Sequence, residues 1–198
     1  MGVPARVATA AAVAFLFLVV FISAAASAVT AAIAAPLSHL WHAVAADPRG
    51  TQSLWSAQDY VHLIAAAEHD APSPQAATAI AFAAKQIGRP YIWGGTGNPG
   101  YDCSGLTQAA YRSAGVDIPR VATAQYVEGV KIELDSLRPG DLAFYGSTAF
   151  THHVAIYLGV VRGVPVVLDA PAPGEVVRFD PLTSGGDLFA ATRPTAAQ

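Results

Sequence analysis

Charge is scarce in this chain, and so is cysteine. Only 13% of the 198 residues are charged, the net charge is −3, and there is a single Cys. No long run of Lys or Arg occurs, so the basic face that phosphate groups require is missing, which argues against a nucleic-acid partner. One cysteine rules out an intrachain disulfide. In an exported protein it leaves a reactive thiol or an intermolecular bond. The length suits one domain with additional sequence rather than two large domains. No internal repeat is visible.

The longest gap in charge is at the start. From Val7 to Ala46 there is no Asp, Glu, Lys or Arg, while Arg6 and the amino terminus are positive. Residues 10–22 form an unbroken apolar run, about the length of a signal-peptide core. The small residues 23–28 follow, and both Ala24-Ala25-Ala26 and Ala26-Ser27-Ala28 fit a small-x-small cleavage site. Weakly apolar sequence continues to Ala35, and about 20 apolar residues span a bilayer. Residues 1–35 therefore read as a signal peptide or an uncleaved anchor helix. Either places the remainder outside the cytoplasm, secreted or held at the membrane by the N-terminal helix.

Residues 36–73 read as a connector, possibly partly helical. Leu54, Ala57, Val61, Ile64 and Ala65 recur at helical spacing, and the helix they form either makes a stalk or packs on the domain. His39 and His42 lack a Cys or acidic partner nearby, so they read as interfacial polar residues rather than metal ligands. His62 and His69 fit a solvated helix face.

The compact domain is expected over 74–198. Ser73 is a good N-cap and Pro74 suits the first helical position. That helix runs to Gln86 and ends at Gly88. After a glycine-rich loop, helices are expected over about 103–113 and 122–128. The strands 141–145, 153–158, 165–169 and 175–179 follow, separated by Gly or Pro. Helices first and antiparallel strands afterwards predict an α+β domain.

Cys103 stands where the second of these helices begins. Free N–H groups and a partial positive charge at a helix N-terminus favour thiolate over thiol. In the strand from His153, Val154, Ile156 and Leu158 share one face, and His153, Ala155 and Tyr157 the other. With a hairpin bend near Val161, Asp169 would sit directly opposite His153 and could orient its imidazole. His152 has the opposite parity and is the alternative base. Gly95-Thr96-Gly97-Asn98-Pro99-Gly100 matches G-x-G-x-x-G, with Asp117 roughly where a ribose-binding acid would fall. The required strand before the loop, helix within it and parallel βαβ unit are not expected here, so a dinucleotide site is rejected.

Five segments taken together carry a resemblance: Pro90-Tyr91-Ile92-Trp93-Gly94-Gly95, Asp102-Cys103-Ser104-Gly105-Leu106, Pro119-Arg120 with Gln125, Leu137-Arg138-Pro139-Gly140-Asp141-Leu142, and His153-Val154-Ala155-Ile156-Tyr157-Leu158-Gly159. In this order the chain resembles the NlpC-type cell-wall peptidases over about residues 76–180. These are papain-like cysteine endopeptidases of bacterial peptidoglycan.

The resemblance implies Cys103 as nucleophile and His153 as general base. The third polar position, often His in that family, falls on Asp169. Tyr91 resembles the family tyrosine near the nucleophile, where its hydroxyl can help bind the oxyanion; its other reading is core packing. Asp102 and Ser104 are candidate substrate contacts, Asp102 through a free amine on a stem peptide, with helix capping as its alternative. The implied substrate is a peptidoglycan stem peptide, cut after D-glutamate, with no metal or organic cofactor. A catalytically inactive wall-binding or scaffold module should have lost the nucleophile or base, and this chain keeps both. An amidase or acyltransferase on the same fold is the other reading. Related lipid-remodelling acyltransferases place His before Cys, and here Cys comes first.

Overall fold

The computed structural model describes residues 55–194. The apolar segment, its cleavage patterns, His39 and His42 lie outside these residues. Among the described residues no helix is long and apolar enough to cross a membrane.

Among the described residues four helices come before the main sheet: α1 (Ala57–Asp70), α2 (Pro74–Ala84), α3 (Cys103–Ser113) and α4 (Ala122–Glu128). A small hairpin, β1 (Thr96–Gly97) with β2 (Gly100–Tyr101), sits between α2 and α3. The main sheet holds β3 (Val130–Ile132), β4 (Leu142–Gly146), β5 (Thr151–Val161), β6 (Val164–Asp169), β7 (Arg178–Pro181) and β8 (Leu188–Arg193). Their order is β3-β8-β4-β5-β6-β7, antiparallel throughout. Mixed helices and an antiparallel sheet are what the sequence pattern predicts. The hairpin β1–β2 takes up the G-x-G-x-x-G segment, so its glycines turn a strand pair rather than open a helix.

The caps are those expected. The Ser73 hydroxyl accepts from the Ala76 N–H, with Pro74 in the first turn. Gly88 and Gly115 take positive φ just beyond α2 and α3, a conformation glycine adopts without steric cost.

Two strands escape the sequence pattern. β8 reads Leu188-Phe189-Ala190-Ala191-Thr192-Arg193, and its alanines have little strand propensity. It is nevertheless an inner strand between β3 and β4, where Ala191 and Thr192 are buried. β3 has three residues, too few to show an alternation. β7 begins at Arg178, later than the expected 175–179, and tolerates Pro181 because it is an edge strand.

α1 packs on the domain, but through a different stripe from the expected one. Its buried residues are Tyr60, Leu63, Ile64 and Ala67, while Ala65 is exposed. The spacing i, i+3, i+4, i+7 is again that of one helix face. Of the expected stripe only Ile64 belongs to this face, and Tyr60 is its largest residue. Its ring stacks on Phe179 of β7 at 4.3 Å and meets Trp55 edge-on at 5.9 Å. Leu63 reaches Gly159 of β5. Phe179 pairs with Leu168, and Leu168 with Ile156, so α1 covers the sheet face that carries Val154, Ile156 and Leu158. Gly159 lies six residues along β5 from His153, about 20 Å at a strand's rise. We expect Tyr60→Ala to lower unfolding free energy by about 3–5 kcal/mol, measured by urea denaturation.

On the opposite face, Ala143, Tyr145, Ala155, Tyr157, Val167 and Leu182 form a second, smaller core. The Leu137–Leu142 segment ties α3 to the sheet. The Tyr111 hydroxyl donates to the Gly140 carbonyl. Asp141, fully buried, accepts from Arg193 through both carboxylate oxygens at 2.7 Å and from the Arg138 N–H at 2.7 Å.

Candidate active site

The site forms where the tip of α3 meets the start of β5. Cys103 is the first residue of α3, and Asp102 caps the helix by accepting from the Gly105 N–H at 2.7 Å. The other carboxylate oxygen of Asp102 accepts from the Gly94 N–H at 2.9 Å and pairs with Arg120 Nη2 at 2.7 Å. One buried carboxylate thus clamps the helix tip, the glycine-rich loop and the segment before α4. A Cβ at Gly105 would collide with the Gly95 carbonyl, which is why this loop can lie so close to the helix. Arg120 also donates from Nη1 to Ser104 Oγ at 2.9 Å. Gln125, buried, donates to the Ser104 and Pro119 carbonyls at 3.0 and 2.8 Å and accepts from the Thr107 hydroxyl.

Of the two readings of Asp102, the structure displays the cap. Pairing with a substrate amine requires displacing Arg120 from it. Arg120 and Gln125 carry this scaffold, although their sequence signal was only membership in a motif. We expect Asp102→Ala to cost about 1–3 kcal/mol, from the lost cap and the unpaired Arg120. Denaturation measures the loss, and peptidase activity should fall with it as the helix tip loosens.

His153 lies near the start of β5, with its side chain 15% exposed. Its Nε2 is 2.6 Å from Asp169 Oδ2. Nδ1 is the nitrogen left over, and Cys103 lies close enough to act on this imidazole. Burial pushes the His153 pKa down, but the hydrogen bonds from Asp169 and Cys103, with their charges, outweigh it and raise the pKa to about 10. The upward shift favours the imidazolium over neutral imidazole. Cys103 is 8% exposed, and Asp169 lies at the buried end of β6.

The route by which His153 meets Asp169 differs from the expected one. The β5–β6 turn falls at Arg162-Gly163, and a bulge between Tyr157 and Gly159 shifts the register to Ile156↔Leu168. One further step sets Asp169 across from Ala155, and His153 itself lies across from Tyr145 of β4. The two side chains meet on the diagonal, where longer groups still reach one another. A β-bulge adds one residue to one strand, which a count of residues in sequence does not detect.

His152 points elsewhere, as parity requires. It is exposed, and its Nε2 is 2.7 Å from Asp187 Oδ2. Tyr91 is half-buried. Burial first, then the charges of Cys103 and Asp102, push its phenol pKa up, which keeps the hydroxyl protonated and able to donate. Trp93 and Phe150 stand exposed on the loops beside the nucleophile and the base.

The geometry brings a thiol, an imidazole and a carboxylate together. The NlpC/P60 family model matches residues 88–186, half of the chain. A gamma-D-glutamyl-L-lysine dipeptidyl-peptidase of Bacillus cereus is 40% identical over 122 residues, covering 60% of this chain and 35% of that protein. The chain thus spans about a third of that relative's length. The solved NlpC/p60 domain of the peptidoglycan hydrolase SagA is 38% identical, with TM-score 0.53, over 59% of this chain and 97% of that one. A structure of the resuscitation promoting factor interacting protein RipA, mutated at a cysteine, is 30% identical, with TM-score 0.55, over 63% of this chain and 64% of that one. The Cys103–His153 pair, the family match over half the chain and the near-complete overlap with a solved domain agree: this chain belongs to the NlpC/P60 family, whose peptidases are of the cysteine type.

Proposed function

We propose that the protein is an extracytoplasmic cysteine endopeptidase that hydrolyses peptidoglycan stem peptides, cutting after D-glutamate. The observation that carries this reading is Cys103 at the tip of α3 beside His153, with Asp169 Oδ2 2.6 Å from the imidazole. The cleavage position is supported by the B. cereus relative, named for a gamma-D-glutamyl-L-lysine bond. Solved RipA structures mutated at a cysteine, a histidine and a glutamate are in keeping with a carboxylate, here Asp169, as the third member. The apolar segment 10–22 supports export, with residues 1–35 as leader or anchor and the peptidase domain beyond the connector.

In the reaction, the Cys103 thiolate attacks the scissile carbonyl carbon. The oxyanion takes hydrogen bonds from the Cys103 backbone N–H and the Tyr91 hydroxyl. As the tetrahedral intermediate collapses, the C–N bond breaks and the His153 imidazolium gives its proton to the leaving amine. Neutral His153 then takes a proton from water as that water attacks the thioester. Sulfur leaves as thiolate, and the ion pair is restored. Asp169 stays ionised and holds the imidazole. Asp102 acts by positioning the helix tip, and Ser104, expected as a substrate contact, is buried with its hydroxyl held by Arg120 and Asp102, so it supports the same tip.

The test is digestion of purified peptidoglycan by the full chain, with and without alkylation of Cys103, and identification of products by mass. Fragments ending in D-glutamate, absent after alkylation, are expected. Digestion that survives complete alkylation would remove the proposed nucleophile. Substrate bound but uncut would favour a wall-binding module, and transfer of the acyl group to an acceptor other than water would favour an acyltransferase.

A further inference from the structure

Behind Asp169 lies a second group of buried charges that the reaction does not use. Arg178 of β7 is the cross-strand partner of Asp169 in β6. Directly opposed residues have Cβ atoms about 5 Å apart on one sheet face, so the guanidinium has Asp169 within reach. It is bound elsewhere. Arg178 Nε lies 3.0 and 2.9 Å from the two carboxylate oxygens of Asp180, and Nη1 pairs with Glu175. All three side chains are nearly buried, at 14%, 8% and 9% exposure for Arg178, Asp180 and Glu175. Meanwhile Asp169 gives Oδ2 to His153, and its Oδ1 is buried with no hydrogen-bond partner.

A buried carboxylate oxygen with a guanidinium in the opposing position would ordinarily be paired. Two carboxylates spent on one arginine, beside a third carboxylate left half-satisfied, is a costly arrangement unless the third must be kept for another cation. We propose that Asp180 and Glu175 are positioning residues that hold the Arg178 guanidinium away from Asp169, so that its carboxylate is reserved for the His153 imidazolium. The inference rests on the catalytic reading of the Cys103–His153–Asp169 set. Were Arg178 to turn onto Asp169 Oδ1, its permanent charge would compete with the imidazolium for the same carboxylate. The imidazole would then lose both orientation and its preference for the charged form. Asp180 has a signature of this crowding: burial first, and the Asp169 charge next, push its carboxyl up to about 6. Asp169 and Cys103 raise His153, and the His153 charge in turn lowers Asp180.

The test uses the full chain carrying Asp180→Ala, alone and combined with Arg178→Gln. In the single variant the crystal structure should show the guanidinium on Asp169 Oδ1. The His153 titration followed by NMR should move to lower pH, and kcat on muropeptide should fall by about 10–100-fold with KM unchanged. The double variant, with no competing cation, should recover both the titration and kcat. A guanidinium that stays on Glu175 or turns to solvent while the His153–Asp169 pair persists overturns the proposal. So does a double variant as impaired as the single one. The structural and NMR readouts need no turnover. Failure of the catalytic reading would instead appear as a wild-type protein that cuts nothing, so the two outcomes are separable.

Discussion

Replacing His153 with alanine is expected to slow stem-peptide hydrolysis by about 10⁴–10⁶, and Cys103→Ala by a similar factor. The magnitudes should match because the two residues act as one unit. The sulfur attacks as half of an ion pair with the imidazolium, and the same imidazolium later protonates the leaving amine. Removing either partner removes both steps. For the same reason the double variant should be no slower than either single one, within a few-fold, because residues of one catalytic unit are grossly non-additive. Single-turnover kinetics on a purified muropeptide measure all three. Losses that multiplied in the double variant would mean that Cys103 and His153 act independently, and their closeness would have no catalytic meaning. His152→Ala should leave kcat close to wild type, since its partner is Asp187.

The second large effect is expected at Asp169. Its carboxylate is the first of the groups that raise His153, and its hydrogen bond to Nε2 leaves Nδ1 for sulfur. Asp169→Asn keeps the shape but removes the charge, and its amide can present the wrong hydrogen-bonding partner to the ring. A fall in kcat of about 10²–10⁴ is expected. The pH behaviour has a definite sign. His153 has a folded pKa of about 10 against an ordinary value near 6.5. Its ion pair therefore contributes stability fully below about pH 6.5, and this contribution is lost as pH rises from there through about 10. In Asp169→Asn the NMR titration of His153 should move down from about 10, and the alkaline loss of stability and activity should begin at correspondingly lower pH. An unmoved titration would show that Asp169 is not what holds the proton on His153.

Much of this site is legible in the sequence because its parts are local. Cys103 at a helix start follows from a glycine-rich loop and a capping Asp102, both within a few residues. Ser73-Pro74 marks the start of α2 by the same short-range chemistry. Strand parity separates His153 from His152 because side chains alternate with a period of two. The missed features are those set by long-range pairing. β8 is made a strand by its neighbours β3 and β4, and the alanines of its sequence do not announce it. The face of α1 was misjudged because the stack of Tyr60 on Phe179 joins residues far apart in the chain.

The sequence by itself pointed to Cys103, His153 and Asp169 as the candidate set, through local pattern together with the family resemblance, and to the α+β order of elements, since residue type, capping and periodicity act over a few positions. The tertiary structure alone decided which atoms meet. It set the bulge that brings Asp169 diagonally to His153, and the clamp that makes Asp102 a scaffold between Arg120 and Gly94. It also sequestered Arg178 behind the catalytic carboxylate. These depend on register and on competition among buried charges, and both are settled only when distant strands are paired and water has been excluded.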